Sequence, residues 1–319
     1  MPLMLENLNC AKEKKYFMIA AIFAVVLWGV VAVTIIGAVL GLLIGLLTWL
    51  GNGLLVANLK ADCVKVHDKQ LPDLYATCQE VCAKLNVPVP DVYVLQAGGL
   101  LNAFAVRHGG RNFVVLHADL IDAFDPKGDE VRFFIGHEIG HIKSKHILKH
   151  IFLLPVLWLP LLGPAYLRAC QLSCDRFGAF AVNNIDGAIK GVMVLAGGRL
   201  LADKVSPEAF LQQAVGQRGF FVSWYELISG YQTLSQRAAV LAAIQQKHPA
   251  PAYPRHPFAY VFALFSFSGL RNTGNVFVIV AVVGIVTAVA IPNLLKAKMS
   301  AHDTQLTGTM ETTKFIKDN

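Results

Sequence analysis

Charge is scarce in this sequence. Asp, Glu, Lys and Arg make up 15% of its 319 residues and hydrophobic residues 55%, which excludes an ordinary soluble globular protein. The shortage is concentrated at one end: from Phe17 to Leu59 there is no Lys, Arg, Asp, Glu or His. At ~1.5 Å per residue that run would make a helix about twice as long as a ~30 Å hydrocarbon core is thick. Two helices of about 20 residues, turning near Gly37 or Gly41, fit it, as does one long kinked helix. A cleavable signal would carry an apolar region of only ~7–15 residues, so the run reads as a retained anchor. Lys12, Lys14 and Lys15 precede it and Lys60, Lys65 and Lys69 follow it. Basic residues at both ends suit a hairpin whose two ends are cytoplasmic.

Other absences narrow the function. No basic cluster is interleaved with stacking aromatics, so the net charge of +7 is a membrane-topology signal and no nucleic-acid partner is expected. No tandem repeat is present. The six cysteines form no CxxC; Cys78/Cys82 and Cys170/Cys174 are spaced i, i+4, while Cys10 and Cys63 stand alone. They read as buried small hydrophobes in a reducing compartment.

Residues 71–86 carry Leu74, Cys78, Val81, Cys82 and Leu85 at helical spacing. VPVPDVYVLQ reads as a turn and a short strand, and the following GGLLNAFAVRHGGRNFVVLH as two strands around Gly109-Gly110. One helix is predicted from about Asp129 to His150 and another over 168–200. Between them lies IFLLPVLWLPLLGPAYL, 151–167, uncharged and broken by three prolines, which suggests a membrane-touching or re-entrant segment. Residues 204–250 are amphipathic, HPAPAYPRHP is a loop, and a last apolar run spans Val276–Leu295 before a polar tail.

The chemistry centres on IGHEIGHIKSKH, 135–146. His137 and His141 are about 400° apart on a helix, so both imidazoles leave one face and can share a tetrahedral metal ion. Glu138 beside them is placed to take a proton from a metal-activated water. Gly136 and Gly140 suggest close packing against a neighbouring helix. His146 and His150 fall on the far side of the same continuous helix, which makes them surface or membrane-interface residues.

Three stretches, LLNAFAVRHGGRNFVVLHADLI (100–121), DEVRFFIGHEIGHI (129–142) and SCDRFGA (173–179), resemble in content and order the HtpX-like and CAAX-prenyl-protease family of membrane zinc metallopeptidases, over about residues 60–260. The resemblance implies an α+β fold: a mostly helical zincin-like domain with a small β-hairpin or sheet edge, plus transmembrane helices. It implies one Zn²⁺ per chain held by His137 and His141, Glu138 as general base, and a peptide or protein substrate. Asn102, Ala103 and Phe104 match the family's strand beside the cleft, where an extended peptide adds to the sheet edge. His256, in a His-Pro pair, matches a feature that could stabilise an oxyanion, although the family's later basic residue is replaced by Val261 and Phe262. The family's third zinc ligand is a glutamate four residues before the aspartate of the later helix. Here that aspartate is Asp175, implied to orient a ligand, and the matching residue is Gln171. A neutral amide is a weaker ligand than a carboxylate. Gln171 as a weak ligand, Asp175 or Cys174 as a substitute, and a site without tight zinc all remain open.

VFVIVAVVGIVTAVAIPNLLKAKMSA, 276–301, resembles the N-terminal helix of type IV pilins, though Leu270-Arg271 and Asn275 replace the cleavage junction and glutamate expected there. The organisation read from the sequence is a membrane anchor at 1–60, a metallopeptidase domain at 61–260 with its membrane-touching insertion at 151–167, and a pilin-like helix and tail at 261–319. The expected setting is a bacterial inner membrane, spanned several times, with the catalytic domain facing the cytoplasm. The expected activity is that of a zinc metalloendopeptidase; the contrasting reading is a non-catalytic membrane scaffold that retains the fold.

Overall fold

A computed structural model describes residues 3–266 except 97, 99–101, 203, 217 and 218. The pilin-like run, with Leu270, Arg271 and Asn275, lies outside the described residues. Two apolar helices come first, α1 (Ala11–Val33) and α2 (Ile35–Asp62), each long and apolar enough to cross a membrane. They are separate helices, and the break falls at Thr34 rather than at Gly37 or Gly41. The Thr34 hydroxyl accepts from Gly37 N–H at 3.1 Å and donates to the Val31 carbonyl at 3.1 Å. It thereby caps α2 in a stretch where no other polar group is at hand. Both helices leave large apolar side chains bare, with Val33, Leu42 and Leu54 87%, 76% and 72% exposed. In water such a surface would be unfavourable; against lipid it is the expected outer face.

A mixed sheet follows, built of β1 (Val64–Lys65), β2 (Asp91–Leu95), β3 (Ala103–His108) and β4 (Arg111–His117) in the order β1-β2-β4-β3. Helix α3 (Pro72–Lys84) connects β1 to β2, and its Leu74, Cys78, Val81 and Cys82 are buried as their spacing predicts. Strands β3 and β4 form the predicted hairpin. Gly109 and Gly110 have φ of 56° and 80°, the left-handed pair that a tight two-residue hairpin turn requires. The short β1, pairing Val64 with Val94, carried no readable pattern in the sequence. Strand β3 is an edge, and that edge faces the helices.

After α4 (Ala118–Asp122) come α5 (Asp129–Lys143), α6 (His146–Phe152), α7 (Leu154–Leu157) and α8 (Leu162–Ala181). The single helix predicted to His150 is therefore two. Lys145 has φ of 55° and turns the chain between α5 and α6. The proline-broken insertion folds back on α1: Leu153, Val156, Tyr166 and Cys170 share a buried cluster with Ala20 and Ala24. Ile151 and Phe152 at its start remain 54% and 40% exposed. The expected helix over 168–200 is likewise divided, between α8 and α9 (Ile185–Gly197).

The last described helices are α10 (Arg199–Ala202), α11 (Pro207–Gly216), α12 (Phe220–Ile228), α13 (Leu234–Gln245) and α14 (Pro257–Leu264). The buried Arg168 of α8 donates to the carbonyls of Glu226, Leu227 and Ser229 at 2.6, 3.2 and 2.6 Å. A cation there satisfies carbonyls that the end of α12 leaves unpaired. Helix α13 lies against α8 and α9, which brings residues from the end of the domain to its centre.

Candidate metal centre

The site sits where α5 crosses α8, the most extensive helix contact among the described residues. Small residues let the two backbones meet. A methyl group on Gly136 would come 2.6 Å from Ala181 Cβ and 3.0 Å from Gly178 Cα, and one on Gly140 would come 2.9 Å from Phe177 Cβ. The close packing read from Gly136 and Gly140 is thus present, and it sets the distance between the HExxH residues and those of α8.

His137 is gripped on one side and open on the other. Its Nδ1 lies 2.9 Å from Asp175 Oδ1. Asp175 also accepts from Arg237 of α13, through Nε at 2.9 Å and Nη2 at 2.6 Å. Burial pushes the Asp175 carboxyl up, but the Arg237 guanidinium and the His137 ring outweigh it and hold it at about 2. Asp175 is therefore an anion, and His137 must donate its Nδ1–H to it. Both its oxygens are occupied, which leaves it as a positioning group for His137.

His137 Nε2 faces Gln171 Oε1, 3.0 Å away; with the ring neutral and its proton on Nδ1 both atoms are acceptors, and with the ring protonated Nε2 donates to the amide oxygen. The Gln171 amide nitrogen lies 3.5 Å from His141 Nε2. The donor set of two imidazoles and an amide oxygen suits a divalent cation. Burial, then the neighbouring His137 and His146, lower the His141 pKa well below its ordinary value, which keeps that ring a neutral ligand. Cys174 also comes within ligand range of His137 and His141. Its Sγ, however, lies 3.6 Å from His146 Nδ1, and burial pushes its thiol well up.

Glu138 is buried on the same helix. Burial pushes its carboxyl up, against the pull of His137, Arg237 and a hydrogen bond with the Ala105 backbone. That contact places the carboxylate at the open edge of β3. In this hairpin His117 N–H donates to the Asn102 carbonyl at 3.0 Å, so Asn102, Phe104 and Val106 turn their backbone groups to β4, and Ala103, Ala105 and Arg107 turn theirs outward. Of the three strand residues expected to line a cleft, Ala103 offers its main chain. Asn102 is exposed at the strand start, and Phe104 packs its ring edge-on against His117 at 6.0 Å. Ala105 was not anticipated.

His256 stands apart from the motif. It is exposed at the start of α14, its ring against Phe220 and Phe258 at 5.8 Å each, its N–H on Ser223 Oγ. His146 corrects an expectation: it is fully buried rather than at a surface. The turn at Lys145 swings it back toward His141, whose Nδ1 is 3.1 Å from His146 Nδ1. His150 stacks on His146 at 6.0 Å with an interplanar angle of 5°, and its Nε2 is buried without a partner.

Two imidazoles and a carboxylate in HExxH spacing, the first imidazole held by an aspartate on a crossing helix, make a candidate metallopeptidase centre. The model of peptidase family M48 matches residues 68–251, and the chain belongs to that family. Among curated relatives, the plastoglobule-localized metallopeptidase 48, chloroplastic, of Arabidopsis thaliana is 30% identical over 168 residues, covering 47% of this chain and 48% of that one. A protease HtpX homolog of Syntrophobacter fumaroxidans is 30% identical over 101 residues, 31% of this chain and 34% of that one. Another from Nostoc sp. is 32% identical over 123 residues, 36% and 41%. The chain thus spans half or less of the length of these relatives. No solved structure matches it.

Proposed function

We propose that this chain is a membrane-anchored zinc metalloendopeptidase in which His137, His141 and Gln171 hold the metal. The observation that carries the reading is convergence: the Nε2 atoms of two imidazoles in HExxH spacing and an amide group from the crossing helix meet within 3.0 and 3.5 Å. Zinc bound there would polarise a peptide carbonyl and acidify water. The chain's own residues do the rest. Main-chain groups of Ala103 and the carbonyl of Ala105 on the open edge of β3 pair with an extended substrate, while the Ala105 N–H holds Glu138. Glu138, alongside that edge, takes the proton of the attacking water and returns it to the leaving amine. Asp175, anchored by Arg237, fixes the His137 ring so that its Nε2 faces the site. The substrate is a peptide or protein, and α1 and α2 embed the chain in a lipid bilayer. The lysines flanking those helices favour a bacterial inner membrane with the domain on the cytoplasmic side.

Purified protein should carry close to one zinc per chain, lost on chelation and absent from His137→Ala and His141→Ala. Glu138→Gln should keep the metal and lose hydrolysis of unfolded casein by 10²-fold or more, roughly what general-base catalysis contributes. Metal content unchanged in both histidine variants would sink the assignment.

A second reading, a peptide-binding scaffold without turnover, is favoured by one residue. Gln171 brings no charge to the cation where the related proteases are expected to have a carboxylate. Gln171→Glu distinguishes the two by zinc affinity at fixed pH. Tighter binding, with activity gained in metal-limited buffer, is the expected outcome. Tighter binding without any hydrolysis at saturating zinc would leave the scaffold reading standing.

A further inference from the structure

Behind His141, away from the cation position, runs a chain of buried groups that leads to the first turn of α1. His141 Nδ1 meets His146 Nδ1 at 3.1 Å, and His146 Nε2 meets Glu13 Oε1 at 3.0 Å. The Glu13 and His146 side chains are 2% and 0% exposed. Lys149 donates to the same Glu13 oxygen at 3.3 Å. Cys170 lies near enough to complete a cation-sized cluster with Glu13 and His146, but the Lys149 ammonium already balances the carboxylate.

The order of protons along this chain follows from its end. A carboxylate only accepts, so His146 donates from Nε2. With the His146 proton on Nε2, its Nδ1 offers a lone pair to His141 Nδ1 at 3.1 Å and to the Cys174 thiol at 3.6 Å, and the shorter contact is completed by a His141 Nδ1–H. His141 Nε2 is thereby left with a lone pair facing Gln171 and His137. The reverse order, with His146 donating to His141, would put a proton on His141 Nε2 and remove that ligand.

The segment that leads into Glu13 is tied to both helices of the candidate site. Cys10 N–H donates to Ser173 Oγ at 2.9 Å, and Cys10 Sγ caps α1 by accepting from Glu13 N–H at 3.3 Å. Ser144, at the end of α5, donates to Asn9 Oδ1 at 2.8 Å, and Arg176 of α8 donates to the Asn7 carbonyl at 2.8 Å. We propose that Glu13 and His146 are positioning residues that fix the tautomer of His141, so that the N-terminal apolar helix sets the metal affinity of the site. This rests on the metal reading above.

The test is nitrogen NMR of ¹⁵N-imidazole-labelled, metal-free full-length protein in detergent, with His141 assigned by the signal lost in His141→Gln. The expected wild-type form carries its proton on Nδ1, the minor tautomer of a histidine side chain in water. His146→Phe should return His141 to the Nε2–H form and weaken zinc binding, measured by chelator competition, about 10- to 100-fold, as loss of a ligand's partner does. His146→Asn, whose amide oxygen can replace the acceptor, should restore most of both. Glu13→Gln should lose less than Glu13→Leu. His150→Phe, beside the chain but not part of it, should change neither. An Nε2–H tautomer in the wild type would overturn the proposal without any variant having to fold. So would a folded His146→Phe that keeps the wild-type tautomer. The expected tautomer in a protein that binds no zinc would uphold the relay and remove the metalloendopeptidase reading instead.

Discussion

At the scale of single residues, burial decides what each titratable group can be. His150 shows it outside the metal centre. Burial, with help from His146 and Lys149, lowers its pKa from 6.5 to about 4, and its Nε2 is sealed although part of the ring is exposed. A depressed histidine stays neutral in the folded state while the unfolded chain takes up a proton near pH 6.5. Between roughly pH 6.5 and 4 the unfolded state therefore binds more protons, and stability falls as pH falls. At ~1.4 kcal/mol per unit the loss is at most about 3.5 kcal/mol. His150→Phe keeps the stack on His146 and removes the proton site, so its unfolding midpoint should lose less between pH 7 and 4.5 than the wild type's. Equal losses would mean that other groups carry the acid sensitivity. The buried cysteines are a quieter case: burial raises Cys78 and Cys82 to about 12, which fits inert core thiols.

At the scale of elements, the distance between α5 and α8 is the critical dimension. Gly136→Ala would drive a methyl group into Ala181 and the Gly178 backbone. Overpacking of this kind costs about 1–3 kcal/mol, and the strain falls beside His137 and its partner Asp175. A lower unfolding temperature together with weaker zinc binding is expected; wild-type values for both would mean that the crossing is not tight. This scale also divides what could be read from the sequence. HExxH was legible because it is one turn of one helix, and Gln171 and Asp175 because the stretch around SCDRFGA resembles that of a known family. The hairpin announced itself by Gly109-Gly110. Arg237 was not legible, since its partner Asp175 is 62 positions away and nothing local marks an arginine as buried. His146 was misplaced because the turn before it uses Lys145, a residue with no preference for φ of 55°. Counting 100° steps through that break put the ring on the wrong side. The break at Thr34 was missed because one hydroxyl in an apolar run is a weak signal until its partners are seen.

At the scale of the whole molecule, the bare flanks of α1 and α2 require an apolar solvent. The protein should float with liposomes and resist alkaline extraction; release into the soluble fraction would mean that the two helices lie on the bilayer and do not cross it. The fold also has a consequence in time. Glu13 is translated early and Arg237 late, yet both reach the metal centre, one through His146 and the other through Asp175. At ~5–20 residues per second, synthesis from one to the other takes roughly 10–45 s. Over the part of that interval between His141 and Arg237, roughly 5–20 s at the same rate, the nascent chain has HExxH but lacks the arginine that anchors Asp175 against His137. On the reading proposed above, the site stays incomplete on the ribosome until Arg237 has been added. Zinc uptake by chains stalled short of residue 237 would show a site that matures sooner.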